Sequence, residues 1–192
     1  MPEPVPSVGS PCGPQGIGLR DAHVHELLTR LSNGDDSIVA HAIWVEVHSE
    51  NYLEPAPIRR QALTAIAQHL PISLHGVGMS FDSPAGMDPD HLSHTRQLVA
   101  ELSPTRISEH ACWSSLDGIH FDDLLPLPFT EEALTTLTNK VNAAQKFLSQ
   151  PILIENLAAY LAFDDSTMPE SIFLSELCRR NGCGLLLDLN DL

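Results

Sequence analysis

The sequence predicts an α/β protein built on a parallel sheet, and three observations carry that prediction. Short apolar runs alternate with segments of helical periodicity across residues 16–190, the order of right-handed βαβ units. The runs are nearly continuous in Val, Ile and Leu, as strands buried on both faces are. Five of them end on groups that can bind a metal: WVEVHSEN (44–51), ISLHG (72–76), RISEH (106–110), ILIEN (152–156) and LLLDLN (185–190). Donors at the C-terminal ends of successive strands converge at one mouth when the strands surround a shared centre, as in a TIM (β/α)8 barrel. An open doubly wound sheet is the alternative. No GxGxxG or Walker motif follows the first strand, so a nucleotide fold has no local support. The expectation is an α/β, TIM (β/α)8-type barrel, truncated after about six β/α units.

GIGLR (16–20) reads as the first strand and DAHVHELLTRL (21–31) as the helix after it. HAIWVEVHSEN (41–51) is the second strand. A Pro-punctuated loop leads to IRRQALTAIAQHL (58–70), an amphipathic helix. Pro71 marks the switch to the third strand, PISLHGVG. HLSHTRQLVAEL (91–102) is helical, and Pro104 separates it from RISEHACW. Residues 114–130, SSLDGIHFDDLLPLPFT, read as an extended loop. The clearest helix is 131–148, with Thr130 as its N-cap and Glu131 and Glu132 in its first turn, where the helix dipole favours acids. ILIENLAAYL (152–161) opens on the fifth strand. Helix 168–182 ends on two arginines and Asn-Gly, a C-terminal stop signal. GLLLDLN (184–190) is the sixth strand.

The 192 residues suit one domain, expected at 16–192 behind a flexible Pro- and Gly-rich segment at 1–15. Hydrophobic residues make up 43% of the chain, a globular composition, and no apolar run approaches the ~18 residues of a membrane span. The N-terminus has no basic region followed by an apolar stretch, so the expected location is cytoplasmic. Ten basic against 25 acidic residues give a net charge of −15, which disfavours a nucleic-acid partner and suits a site that gathers cations. A solvated acidic surface accounts for most of that charge. The four cysteines form no CxxC pair, and a disulfide framework is not expected in a chain of this kind.

The metal candidates are His75, Glu109, His110, Glu155 and Asp188, with Glu50, His23 and Asn190 as a second group. A single His at a strand end is ordinarily a hydrogen-bonded structural residue; the joint pattern carries the reading. Imidazole with several carboxylates suits iron, manganese or zinc, and the carboxylate share leans towards iron or manganese. Side chains alternate across a strand, so Glu109 and His110 cannot both face the centre of a regular one, whereas Asp188 and Asn190 share parity.

These stretches resemble the multinuclear non-haem iron-dependent oxygenases, a UPF0276-type family that includes the oxygenases of methanobactin and thiaglutamate biosynthesis. The resemblance runs through GIGLRDAHVHELL (16–28), EVHSENY (46–52), SLHGVGMS (73–80), SEHACW (108–113), LLPLPFTEEAL (124–134), ILIENLAAYL (152–161) and GCGLLLDLN (182–190). It implies a TIM barrel with two or three iron ions at its mouth. It also implies O2-dependent oxidation of a side chain, typically cysteine, in a ribosomally made precursor peptide, often presented by a separate partner protein. By position, His75, Glu109, His110, Glu155, Asp188 and Asn190 fall in the family's metal-binding motifs, and Glu50 and His23 match family positions. The family continues past LLLDVNN with two further strand–helix units and has Asn where this chain has Asp191.

Two other readings stand beside this one: a divalent-metal TIM-barrel enzyme of the sugar isomerase or epimerase kind, and a non-catalytic remnant that binds a partner.

Overall fold

The structure, a computed structural model, describes residues 15–35, 37, 44–54, 57–81, 86–116, 119–157 and 161–191. The expected flexible segment lies outside these residues except for Gln15. In chain order the elements are β1 (Gly16–Gly18), α1 (Asp21–Ser32), β2 (Trp44–His48), a 3-10 turn (Ser49–Tyr52), α2 (Pro57–Ala67), β3 (Ile72–Gly76), α3 (Pro89–Leu102) and β4 (Arg106–His110). There follow β5 (Trp113–Leu116), β6 (Ile119–Leu125), α4 (Glu131–Leu148), β7 (Leu153–Glu155), α5 (Glu170–Asn181), β8 (Gly184–Leu186) and a second 3-10 turn (Leu189–Asp191).

Six strands form one sheet in the order β1-β2-β3-β4-β7-β8, and every neighbouring pair is parallel. The order never reverses. Right-handed crossovers that always advance in one direction put all their helices on the same side of the sheet. A doubly wound sheet needs a reversal point and helices on both faces. The sheet is therefore an arc of a (β/α) barrel.

The helix-facing side is the core. Val45, Val47, Ile72 and Leu74 pack with Leu27 and Leu31 of α1, Leu63 and Ile66 of α2, and Leu98 and Leu102 of α3. Ile107 and Ile154 pack with Leu134, Leu137 and Val141 of α4 and Phe173, Leu174 and Leu177 of α5. Val99 touches both clusters and joins them. Each fully buried aliphatic side chain contributes about 2 kcal/mol of apolar transfer. Thr130 caps α4 through its hydroxyl, which accepts from Ala133 N at 3.2 Å, and Asp88 caps α3 through Asp90 N at 2.8 Å.

The second strand, expected over 41–51, ends at His48 and passes into the 3-10 turn, with 41–43 outside the described residues; two further stretches differ from the sequence expectation. β5 and β6 (Trp113–Leu116 and Ile119–Leu125) pair antiparallel in a two-stranded sheet separate from the main one. The last strand stops at Leu186, short of the expected 190, and the chain turns into the 3-10 segment. Asp188 drives that turn: its Oδ1 accepts from the backbone N and the side-chain Nδ2 of Asn190, at 2.8 and 2.7 Å, a local bond that competes with the sheet ladder.

Candidate metal centre

Cross-strand registers fix which side chains share the inner face. His48 lies opposite His75, His75 opposite Ser108, and His110 opposite Glu155. Since alternate residues face alternate sides, these residues all face away from the helices, at the C-terminal ends of β2, β3, β4 and β7. Glu109 takes the other parity, opposite Gly76 and Ile154.

Three inner-face side chains converge. His75 Nε2 lies 3.5 Å from Glu155 Oε2, and His110 Nε2 lies 3.4 Å from the same oxygen. One ligand atom from each residue falls within 4.8 Å of the other two. The two rings stack edge-on at 4.7 Å between centroids, and His48 stands edge-on to His75 at 5.5 Å.

The far nitrogen of each ring is already engaged. His110 Nδ1 donates to the Gly76 carbonyl at 3.4 Å. His75 Nδ1 lies 2.8 Å from Ser108 Oγ, whose hydroxyl turns to the Leu74 carbonyl at 3.5 Å. With that hydroxyl as donor to Leu74, His75 Nδ1–H donates to Ser108, and the Nε2 atoms of both rings are the ones that meet the Glu155 carboxylate. Two imidazole nitrogens and a carboxylate oxygen at this spacing make a donor set that a cation or a proton can share. Metal-binding histidines have this form, one nitrogen held by a hydrogen bond and the other directed at the ion. Burial, then the charges of His110 and His48, push His75 down to about 4. The ring is neutral at physiological pH, the state in which imidazole binds a metal. The donor set therefore fits a divalent transition metal.

Glu109 and Glu50 do something else. Glu109 is fully buried; its Oε1 accepts from His110 N and its Oε2 from Met79 N, both at 3.1 Å. Burial first and the nearby Glu50 carboxylate second push it up to about 8, against the backbone N–H groups of His110, Met79 and Gly78. Glu50 Oε1 accepts from Val77 N and Gly78 N, both at 3.0 Å, and meets His91 Nε2 at 3.2 Å. The three consecutive amides after His75–Gly76 thus end on two carboxylates. The clamp explains two glycines. A Cβ on Gly76 would sit 2.5 Å from Glu109 Oε2, and one on Gly78 would sit 2.6 Å from His91 Nε2.

Of the sequence candidates, His75, His110 and Glu155 come together. Glu109 and Glu50 hold the loop that follows β3. Asp188 and Asn190 bond to each other one strand further along, and Asn156 fixes Asp188 by a backbone pair, accepting from its N at 2.8 Å and donating to its O at 3.1 Å. His23 is exposed on α1, beside Leu19, Glu26 and Arg30. His48 was not among the candidates. Its period-2 spacing from Glu46 on an inward-facing strand was the available signal. An open cleft of about 400 Å³ runs from His75 and His48 past Glu46 to Arg20 and Asp21.

The sequence profile described as RiPP precursor modification enzyme MbnB/TglH/ChrH matches residues 14–192. A UPF0276 protein of Vibrio vulnificus (strain CMCP6) is 45% identical over 179 residues, covering 92% of this chain and 58% of the relative. The chain therefore spans a little over half the length of that relative. Among solved structures, SacUVDE superposes with a TM-score of 0.53 at 12% identity, over 92% of this chain and 70% of that one. D-psicose 3-epimerase superposes with a TM-score of 0.53, also at 12% identity, over 90% and 62%. At such identities the likeness shows the fold alone, a TIM-barrel arc. The profile match covers all but the first 13 residues, and on it the chain belongs to the MbnB/TglH/ChrH family of RiPP precursor modification enzymes.

Proposed function

We propose that this chain is the iron-binding part of a multinuclear non-haem iron oxygenase that oxidises a side chain, typically cysteine, of a ribosomally made precursor peptide. The observation that carries the reading is the convergence of His75 Nε2, His110 Nε2 and a Glu155 oxygen with both far ring nitrogens hydrogen-bonded. Iron held there would supply redox chemistry with O2 and would favour the deprotonated form of a substrate thiol. Asp188 and Asn190 follow the strand next to Glu155 in the sheet and are the proposed donors for a second ion. His48, beside His75, is the proposed donor on the other flank.

The chain's own residues set the stage. Ser108 and the Gly76 carbonyl hold the two rings in one tautomer. Glu109 and Glu50 keep the 77–79 loop from swinging across the mouth. The cleft from His48 to Arg20 gives a peptide side chain a polar approach. A peptide-presenting partner protein belongs to the same reading, as does a cytoplasmic location. Among the described residues, no helix is long and apolar enough to cross a membrane.

The test is O2 uptake by the iron-loaded chain on addition of a cysteine-containing peptide, with the peptide's mass followed in parallel. O2 consumption matched by peptide oxidation supports the proposal. Iron-loaded chain that leaves both unchanged, with or without the candidate partner protein, overturns it. Turnover of a ketose without O2 would favour the epimerase-like alternative.

A further inference from the structure

Cys178 lies in the last turn of α5 and Cys183 immediately before β8, on either side of the helix stop. Their sulfurs are 3.6 Å apart. The backbone around both is fixed. Gly182, in the left-handed conformation at φ 68°, donates its N–H to the Cys178 carbonyl at 2.9 Å. Cys183 N donates to Asn181 Oδ1 at 2.9 Å, and Gly184 N to the Ile152 carbonyl at 3.0 Å. The thiol contact is therefore set by anchored chain on both sides. A disulfide has its sulfurs ~2.05 Å apart, so side-chain rotation of about 1.5 Å separates the pair from a bond. Neither residue belongs to the metal triad or to the carboxylate clamp.

We propose that Cys178 and Cys183 are a reversible thiol–disulfide pair that locks the end of α5 to β8. Cys178 is part-exposed and Cys183 is buried, which orders the chemistry. A disulfide oxidant such as oxidised glutathione is attacked by the Cys178 thiolate, giving a mixed disulfide and one glutathione thiolate. The Cys183 thiol gives up its proton to the released glutathione thiolate and attacks Cys178 Sγ; the protein disulfide forms and the second glutathione leaves as a thiolate that takes a proton from solvent. Two protein thiols are oxidised and one oxidant disulfide is reduced to two thiols. Burial, then Cys178, push the Cys183 thiol up to about 12. A thiol held so high is seldom ionised, so the second step is slow and depends on the 3.6 Å contact with Cys178. Cys112, buried at 1% exposure, is an internal control that should stay reduced.

Trypsin cuts after Arg179 and Arg180, between the two cysteines. The experiment is oxidation of the folded full chain with oxidised glutathione, blocking of remaining thiols, and a tryptic mass map. The expected result is one cross-linked pair of peptides carrying Cys178 and Cys183, lost on reduction, with Cys112 recovered reduced. In Cys183→Ser the reaction should stop at a glutathione adduct on Cys178. Recovery of a lasting Cys178 adduct without the cross-link in the native chain would overturn the proposal. So would loss of Cys183 to a disulfide in Cys178→Ser.

Discussion

Replacing Glu109 by Gln separates a clamp from a ligand. Both Glu109 oxygens accept backbone hydrogen bonds, from His110 N and Met79 N at 3.1 Å. The Gln oxygen keeps one of them, while the amide NH2 faces the other N–H donor to donor. The residue is fully buried, so water cannot take the lost partner's place. A buried N–H left unsatisfied costs 1–3 kcal/mol, and the expected loss of folding stability is about 2 kcal/mol. Rotating the side chain gives no escape, because the carboxyl already lies where even a Gly76 Cβ would clash. Urea unfolding of the metal-free chain should show a lowered midpoint with an unchanged slope. Metal content of the folded variant should stay within a few-fold of the parent's, because Glu109 faces away from the triad. Unchanged stability together with lost metal would refute this reasoning and return Glu109 to the ligand set.

Other perturbations follow from the same geometry. His75→Ala removes a donor from the triad, and Glu155→Gln replaces its carboxylate by a neutral, weaker amide oxygen. Metal affinity should fall more than about 100-fold, beyond the loss typical of outer-shell partners, while circular dichroism stays near that of the parent; unchanged metal in both would exclude them as ligands. Gly78→Ala places a Cβ 2.6 Å from His91 Nε2 and 3.1 Å from Glu50 Oε1. It should cost about 1–3 kcal/mol through overpacking, read by urea unfolding, and no loss of stability would show that the loop is not clamped. His75 is held near 4 in the fold against an ordinary 6.5, so the unfolded chain takes up a proton first. The stability this contributes is complete above about pH 6.5 and is lost as pH falls towards 4, about 3 kcal/mol in all. Metal-free protein should therefore lose stability over that range more steeply than His75→Gln, and parallel curves would contradict the assignment.

Much of this was legible in the sequence because one regularity, apolar runs ending on donors, reports both the barrel and its mouth. His75, His110 and Glu155 stand at the ends of three such runs and meet. The alternation rule showed that Glu109 and His110 must face opposite sides. Which one faced inward depended on the register against β3 and β7, a long-range property that a local pattern does not hold. Asp188 and Asn190 share strand parity, but their short polar side chains bond to each other and end the strand before parity can act. The pairing of β5 with β6 was announced by Asp117-Gly118, a common two-residue hairpin signal, and by the alternation of Ile119 and Phe121 with polar neighbours. The Pro-rich half that follows, Leu124–Thr130, made the whole stretch read as loop. Glu50 was legible as a second-group metal candidate and not as a loop clamp, since its partners are backbone amides of another strand's exit.

The most direct test of the central claim is metal analysis of the chain purified without oxygen, with the Glu155→Gln variant measured beside it. Iron is expected at one or more per folded chain, and is expected to be lost in the variant. A folded, monodisperse chain that carries no transition metal after loading with ferrous iron would contradict it. So would iron retained in full without Glu155.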